Sequence, residues 1–370
     1  MYRVCVYAIC KNEEPFVDRW VDSMQEADQI VVLDTGSTDN TVEKLRSRGV
    51  QVITAVIDPW RFDVARNRSL ELVPEDTDIC VCTDLDEVFV PGWREKVEQA
   101  WHTGARQLRY RYVWTFNADG SEGHVYWLDK IHDRHGFTWK HPVHEVLACE
   151  TPVSKPIAQG VQLEHHPDPG KSRSQYLPLL ELAYQEDPED DRNVHYLGRE
   201  YLYYRRFDEA IAMLKHHLIM PASTWPDERC ASMRYIAQAF LAKGQPDTAY
   251  SWLLRAVAEA PYLREPWMDL CRYFYAKGDW YGLAWAALQC VKIVERTQSY
   301  ICEPAAWGPM PYDLLSLALY YTGNFQGACN AVAKALELSP EDGRLKKNQA
   351  MMTAALQAQA SGRAPVPLEK

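Results

Sequence analysis

Three times within its first 87 residues, the chain runs a short apolar stretch directly into polar or acidic residues. Residues 3–9 (RVCVYAI) lead to Lys11-Asn12-Glu13, residues 29–33 (QIVVL) end on Asp34, and residues 78–82 (DICVC) lead to Asp84, Asp86 and Glu87. Runs of this length read as buried strands. Between them, Phe16, Trp20 and Met24 recur at helical spacing, and the turn-rich residues 35–41 offer helix N-caps. A helix over 42–48 stops at Gly49, and a further strand begins at 50–53. Such β-loop-α alternation predicts a mostly parallel sheet with helices on both faces. Ligands of such sheets bind at the carboxyl ends of the strands, where Asn12, Glu13, Asp34, Asp84 and Asp86 all fall.

Asp84 and Asp86 carry the most specific chemistry. If the strand continues through them, both project to one side. Neighbouring carboxylates repel unless a cation lies between them, and an oxygen-rich site of this kind suits Mg²⁺ or Mn²⁺ bridged to substrate phosphates. The plainer alternative is a strand end capped by solvated acids.

Four motifs in order, KNE (11–13), IVVLDTGSTDNT (30–41), FDVARN (62–67) and TDLDE (83–87), resemble the family 2 glycosyltransferases of the GT-A fold over roughly residues 1–150. The resemblance implies an inverting, metal-dependent transferase that uses a nucleotide sugar, with a UDP-sugar as donor. It implies that Asp34 reads the base or ribose, that Asn12 and Glu13 line the same pocket, and that Asp63 and Arg66 close over the nucleotide. Asp84 then faces the donor, and Asp84 and Asp86 hold Mn²⁺ or Mg²⁺. These roles agree with a carboxylate accepting from base and ribose donors and a guanidinium pairing with phosphate. Arg66 could equally be a surface partner of Asp63, three residues earlier on a helix.

In residues 107–117, Tyr110, Tyr112, Trp114 and Phe116 alternate with Arg109 and Arg111, and a turn at 117–120 predicts a hairpin with residues 125–128. The aromatics are either core or a stacking surface. The ending W-x-x-P-V-H-E (139–145) resembles a signature of one branch of these transferases. It makes His144 a metal or diphosphate contact and Glu145 a general base, with Asp129 and Asp133 as competing bases. Residues 163–170, with His165 and His166, read as a Pro- and Gly-bearing linker whose histidines are solvated.

From about residue 173 the pattern turns helical and repetitive. Gly244 and Gly278 stand 34 residues apart, and the small and large positions around them resemble tetratricopeptide (TPR) repeats, with an insertion near 300–311. The chain therefore divides into an α/β GT-A domain (1–168), an all-α TPR-like helical solenoid (169–356) and a flexible tail (357–370). Solenoids of this kind dock partners or pair subunits, which points to a homodimer through the repeats or to presentation of an acceptor.

The net charge of −11, concentrated in the first 108 residues, opposes general polyanion binding. Ten scattered cysteines without a C-x-x-C pair point to reduced thiols in a cytoplasmic protein. No stretch has the length and apolarity of an integral membrane segment. The resemblance, with the repeat half included, implies a macromolecular acceptor: a peptide or protein, or hydroxymethylated pyrimidine in phage-type DNA. A surface polysaccharide or lipid is a third class, and a non-catalytic TPR scaffold with a degenerate transferase domain is the alternative to an enzyme.

Overall fold

The computed structural model describes residues 2–102, 104–117, 119–168, 170 and 174–362. Its contacts divide the chain into two units, Met1–Asp187 with Gln298–Tyr300, and Pro188–Thr297 with Ile301–Lys370. The division falls after Asp187, later than the 168/169 boundary expected from the Pro/Gly-bearing stretch.

In the first unit the order is β1 (Val4–Cys10), α1 (Val17–Met24), β2 (Gln29–Asp34), α2 (Thr41–Ser47), β3 (Gln51–Thr54), α3 (Phe62–Glu71), β4 (Ile79–Cys82), β5 (Glu87–Phe89) and α4 (Trp93–Trp101). There follow β6 (Gln107–Val113), β7 (Val125–His132), β8 (Phe137–Lys140), β9 (Val146–Cys149), β10 (Ile157–His165) and α5 (Tyr176–Glu186). Eight strands form one sheet in the order β3-β2-β1-β4-β7-β6-β10-β5, and β8 and β9 pair separately. Strands β3, β2, β1 and β4 are parallel; β7 is antiparallel to both β4 and β6, and β10 is parallel to β6 and antiparallel to β5.

All seven residues of β1 are buried, as a central strand covered on both faces requires. Val4, Val6 and Ala8 join one core with Trp20, Met24, Phe89, Trp93 and Tyr110, while Cys5 and Tyr7 join another with Cys80, Cys82, Leu70 and Trp139. Between these layers the four parallel strands present their carboxyl ends to one edge.

Residues 163–165 are not linker. Val161, Leu163 and His165 are buried in alternation, so the strand β10 runs on to His165. The Pro/Gly content begins only at Pro167, and Pro169 lies outside the described residues.

A buried polar chain crosses the second of these cores. Trp139 Nε1–H donates to Tyr7 Oη at 2.9 Å, and Tyr7 Oη lies 2.7 Å from His132 Nε2. His132 Nδ1 lies 2.7 Å from the Asp133 carbonyl oxygen. A carbonyl only accepts, so Nδ1 carries the hydrogen and Nε2 accepts the Tyr7 hydroxyl. Burial pushes the His132 imidazole down to about 4.

The second unit is helical: α6 (Asp191–Tyr203), α7 (Phe207–Ile219), α8 (Pro226–Ala242), α9 (Pro246–Glu259), α10 (Arg264–Lys277), α11 (Trp280–Lys292), α12 (Met310–Tyr321), α13 (Phe325–Leu338) and α14 (Gly343–Ala360). Each helix packs on the next, giving four hairpins and a closing helix. Gly198 lets α6 approach α7, because a Cβ there would stand 2.6 Å from Leu214 Cγ. The turn inside each hairpin passes through one left-handed residue: Arg205 (φ 59), Gly244 (φ 71), Gly278 (φ 70) and Gly323 (φ 84). The expected interruption near 300–311 lies between α11 and α12. Helix α14 continues to Ala360, into the stretch expected as tail, and residues 363–370 lie outside the described residues. All ten cysteines are free, and no described helix is long and apolar enough to cross a membrane.

Two predictions arise here. His132 has a folded pKa of about 4 against an ordinary 6.5, so on acidification the unfolded chain takes the proton first. Its contribution to stability is present above the ordinary value and lost as pH falls towards 4. Between pH 7 and 5 the first unit should lose roughly 2 kcal/mol in denaturant melts, and His132→Gln should flatten that slope. In the helical unit, Arg205 carries the steric cost that glycine avoids at the three equivalent turns. Arg205→Gly should stabilise this unit by roughly 1 kcal/mol in chemical denaturation, and Gly278→Ala should cost about as much.

Candidate active site

The β1 and β2 ends meet at Cys10 and Asp34, which are paired in register. Beyond them the two loops are tied together. Asn12 takes a left-handed conformation (φ 57), its Oδ1 accepts from Thr38 N–H at 2.7 Å, and its own N–H donates to Ser37 Oγ at 2.9 Å. Asp34 is wholly buried, and its carboxylate accepts from Ser37 N–H at 3.0 Å and Gly36 N–H at 3.2 Å. Glu13 N–H donates to Thr41 Oγ1 at 2.8 Å. The structure thus brings Asn12, Glu13 and Asp34 together on two hydrogen-bonded loops beyond the β1 and β2 ends.

The D-x-D stretch is a turn, not the strand continuation expected. Strand β4 ends at Cys82, Glu87 N–H donates to Asp84 O at 3.1 Å, and Asp84 N–H donates to Glu87 Oε2 at 2.8 Å. The reciprocal Asp84–Glu87 bonds close the turn, so the two aspartates meet different partners. Asp84 accepts from Arg66 Nη2 at 2.8 and 3.1 Å and lies 3.5 Å from Lys130 Nζ. Asp86 Oδ2 faces His165 Nε2 at 3.4 Å. Glu87 is buried beneath, where Tyr112 O–H donates to it at 2.6 Å and burial holds its carboxyl above the usual range. Burial would lower the Lys130 ammonium, but the charges of Asp84 and Glu87 outweigh it and hold it high.

Arg66 is 3% exposed. Its guanidinium donates to Asp84, to Glu145 Oε1 and, at 3.4 Å, to Cys82 Sγ, and lies 5.3 Å from the Trp139 ring centroid. Asp63 pairs instead with Arg61, at 2.8 and 3.0 Å, so the Asp63–Arg66 surface pair does not form. Arg66 thus fixes two carboxylates, one from the D-x-D turn and one from the loop before β9.

The other proposed ligand and bases separate. His144 has a left-handed backbone (φ 51), which breaks the extended run expected at 143–145 and sets its ring 5.7 Å from that of Tyr176. Among the described residues, Asp84, Asp86 and His144 do not converge as a three-ligand set. Asp133 is placed at the wrong end of the sheet: β7 is antiparallel to β4 with His132 opposite Cys80, and Asp133 bonds Arg106 Nε at 3.2 Å. Asp129 lies towards the carboxyl edge, but Lys130 is the residue that reaches Asp84, and Asp129 accepts from Lys155 Nζ at 2.5 Å.

His165 and Lys130 reach the D-x-D turn, a placement that the sequence alone does not give. The His165 ring stacks on Trp114, with centroids 4.1 Å apart at 11°, and Nδ1 lies 3.1 Å from the Trp114 carbonyl, leaving Nε2 towards Asp86. Burial opposes its protonation, yet Asp86 raises its pKa above the ordinary value. The signal was the apolar alternation Val161, Leu163, His165, which puts the imidazole in phase with a buried face. A carboxylate oxygen and an imidazole nitrogen aimed at one another fit a divalent ion; Asp84, already engaged by Arg66 and Lys130, and His144 do not complete their set. Of the expected aromatic row, Tyr110 and Tyr112 are core, whereas Trp114 and Phe116 stack on His165 and His166.

The family described as Glycosyl transferase family 2 matches residues 5–145. An uncharacterised glycosyltransferase of Rickettsia typhi is 29% identical over 114 residues, covering 30% of this chain and 38% of that relative. The chain therefore matches well under half the length of this relative. Among solved structures, MamA is similar at 17% identity and a TM-score of 0.36, covering 45% of this chain and 89% of its own. A thermophilic TPR protein of Thermus thermophilus is similar at 20% identity and a TM-score of 0.34, covering 48% of this chain and 88% of its own. The Asn12–Asp34 loops and the D-x-D turn lie inside the span that matches the family 2 glycosyltransferases, and helical hairpins with a 34-residue period follow it in the chain.

Proposed function

We propose that the chain is a metal-dependent inverting glycosyltransferase that moves a sugar from a nucleotide sugar, a UDP-sugar, to a hydroxyl on a macromolecular acceptor. The observation that carries this reading is the D-x-D turn at the carboxyl edge, with Asp86 Oδ2 aimed at His165 Nε2 at 3.4 Å beside the Arg66-bound Asp84. Asn12, Glu13 and Asp34 bind the nucleoside, with Asp34 fixed at the strand end by the amides of Gly36 and Ser37 and the two loops held together by Asn12. Asp86 and His165 hold the divalent ion, which when bound neutralises the departing diphosphate.

Of the three carboxylates considered as base, Glu145 alone shares the Arg66 cluster with Asp84. It takes the proton of the acceptor hydroxyl as that oxygen bonds to the anomeric carbon and the bond to the diphosphate oxygen breaks. Arg66 holds Glu145 and Asp84 in register, so acceptor and donor meet in a fixed geometry. A polypeptide acceptor is favoured over modified DNA because a net charge of −11 repels a polyanion.

The test is a mass-spectrometric screen of nucleotide sugars with Mn²⁺ against a peptide pool and hydroxymethylcytosine-containing DNA. A mass shift of one sugar on a peptide is the expected result; a shift on the DNA alone reassigns the acceptor, and no transfer or donor hydrolysis at all supports a non-catalytic scaffold. Within this reading, Asp86→Ala and His165→Ala should each lower turnover by at least ~10², and chelation should abolish it. Near-normal turnover of Asp86→Ala without metal would sink the metal-dependent assignment. Glu145→Gln should retain donor binding by calorimetry and lower the transfer rate by ~10²–10⁴. Loss of donor binding in that variant would make Glu145 a holder of Arg66.

A further inference from the structure

Inside the second unit, His195 on α6, His217 on α7 and Glu228 on α8 converge. All three are buried, and one ligand atom from each lies within 4.8 Å of the others. No other trio of this kind occurs among the described residues. From these positions we propose that His195, His217 and Glu228 bind one divalent transition-metal ion of the zinc class, joining the first three helices of this unit.

The hydrogen bonds around the trio prepare it for that ion. Ser232 stands one helical turn after Glu228, on the same face of α8. Its Oγ lies 2.8 Å from His195 Nδ1 and 2.9 Å from His217 Nδ1. One hydroxyl oxygen can accept from two N–H groups, so Ser232 fits both rings with hydrogen on Nδ1. The Nε2 atoms are then the nitrogens that carry lone pairs. His217 Nε2 lies 3.3 Å from Glu228 Oε1 and 3.0 Å from Ser223 Oγ. His195 Nε2 is buried and has no hydrogen-bond partner among the described residues.

That last atom separates a metal site from a purely structural relay. A wholly enclosed nitrogen with nothing to bond costs about 1–3 kcal/mol, and a tautomer change does not remove the cost. A Lewis acid does. Two imidazoles and a carboxylate form a donor set that suits Zn²⁺, with a water or other group completing four-coordination. Ser232 acts as a positioning residue that orients both rings by their second nitrogens.

The experiment uses the full chain carrying Asp86→Ala, so that the transferase unit does not compete. After chelation and desalting, the protein is titrated with Co²⁺, followed by its visible ligand-field absorption, and then with Zn²⁺ in competition. One ion per chain is expected. Glu228→Gln and His195→Gln should each weaken binding at least ~100-fold, and Ser232→Ala by ~10–100-fold, with helical circular dichroism unchanged. Absence of stoichiometric binding by the folded chain overturns the proposal, and so does binding that Glu228→Gln and His195→Gln leave intact. Glu228→Gln keeps the shape of its side chain, and the stoichiometry of the chain without it decides the question even if His195→Gln unfolds.

Discussion

The transferase unit depends on the burial of one guanidinium. Arg66, on α3, has its charge compensated by Asp84 from the turn after β4 and by Glu145 from the loop before β9. Removing one partner from a buried pair leaves an uncompensated charge at a cost of about 3–5 kcal/mol, so these three segments move together or not at all. The rigidity of the site follows from this pairing. The D-x-D turn cannot relax without exposing Arg66, and Arg66 cannot leave without freeing two carboxylates.

Around that pair the site balances like charges at short range. Asp84, Asp86, Glu87 and Glu145 crowd the carboxyl edge, and Arg66, Lys130 and His165 are set against them. Each of the three has a different attachment. Arg66 is enclosed, Lys130 comes from the antiparallel strand β7, and His165 ends β10, two strands further across the sheet. Glu87 adds no free acid, because Tyr112 and the Asp84 amide occupy its oxygens. A donor that brings a diphosphate into this field adds further negative charge, which is why a cation beside Asp86 and His165 is chemically apt.

The helical unit solves a different problem with a repeated device. Its hairpins reverse through one left-handed residue each, and three of the four use glycine, the residue for which that conformation costs nothing. Small side chains such as Gly198 let paired helices close, as Leu214 against α6 illustrates. The buried polar cluster of His195, His217, Ser232 and Glu228 places its chemistry on three successive helices.

What the sequence determined by itself is what depends on local order. The parallel strands, the helices between them, the loops bearing Asn12, Glu13 and Asp34, and the 34-residue helical period follow from periodicity, caps and turn residues. Each of these acts within a few residues of itself. The partners of Asp84 and Asp86 were not legible, because both aspartates could have shared a strand face, whereas the Asp84–Glu87 bonds fold them into a turn. His165 read as linker because its neighbours are Pro and Gly, yet it ends a strand whose register only the sheet supplies. Asp133 and Asp129 looked equivalent along the chain, but the antiparallel direction of β7 puts one at the far end, and Lys155 engages the other. Tertiary structure decided these points because strand direction, register and the burial of Arg66 join residues far apart in the chain, and no local pattern encodes which distant charge a buried charge will meet.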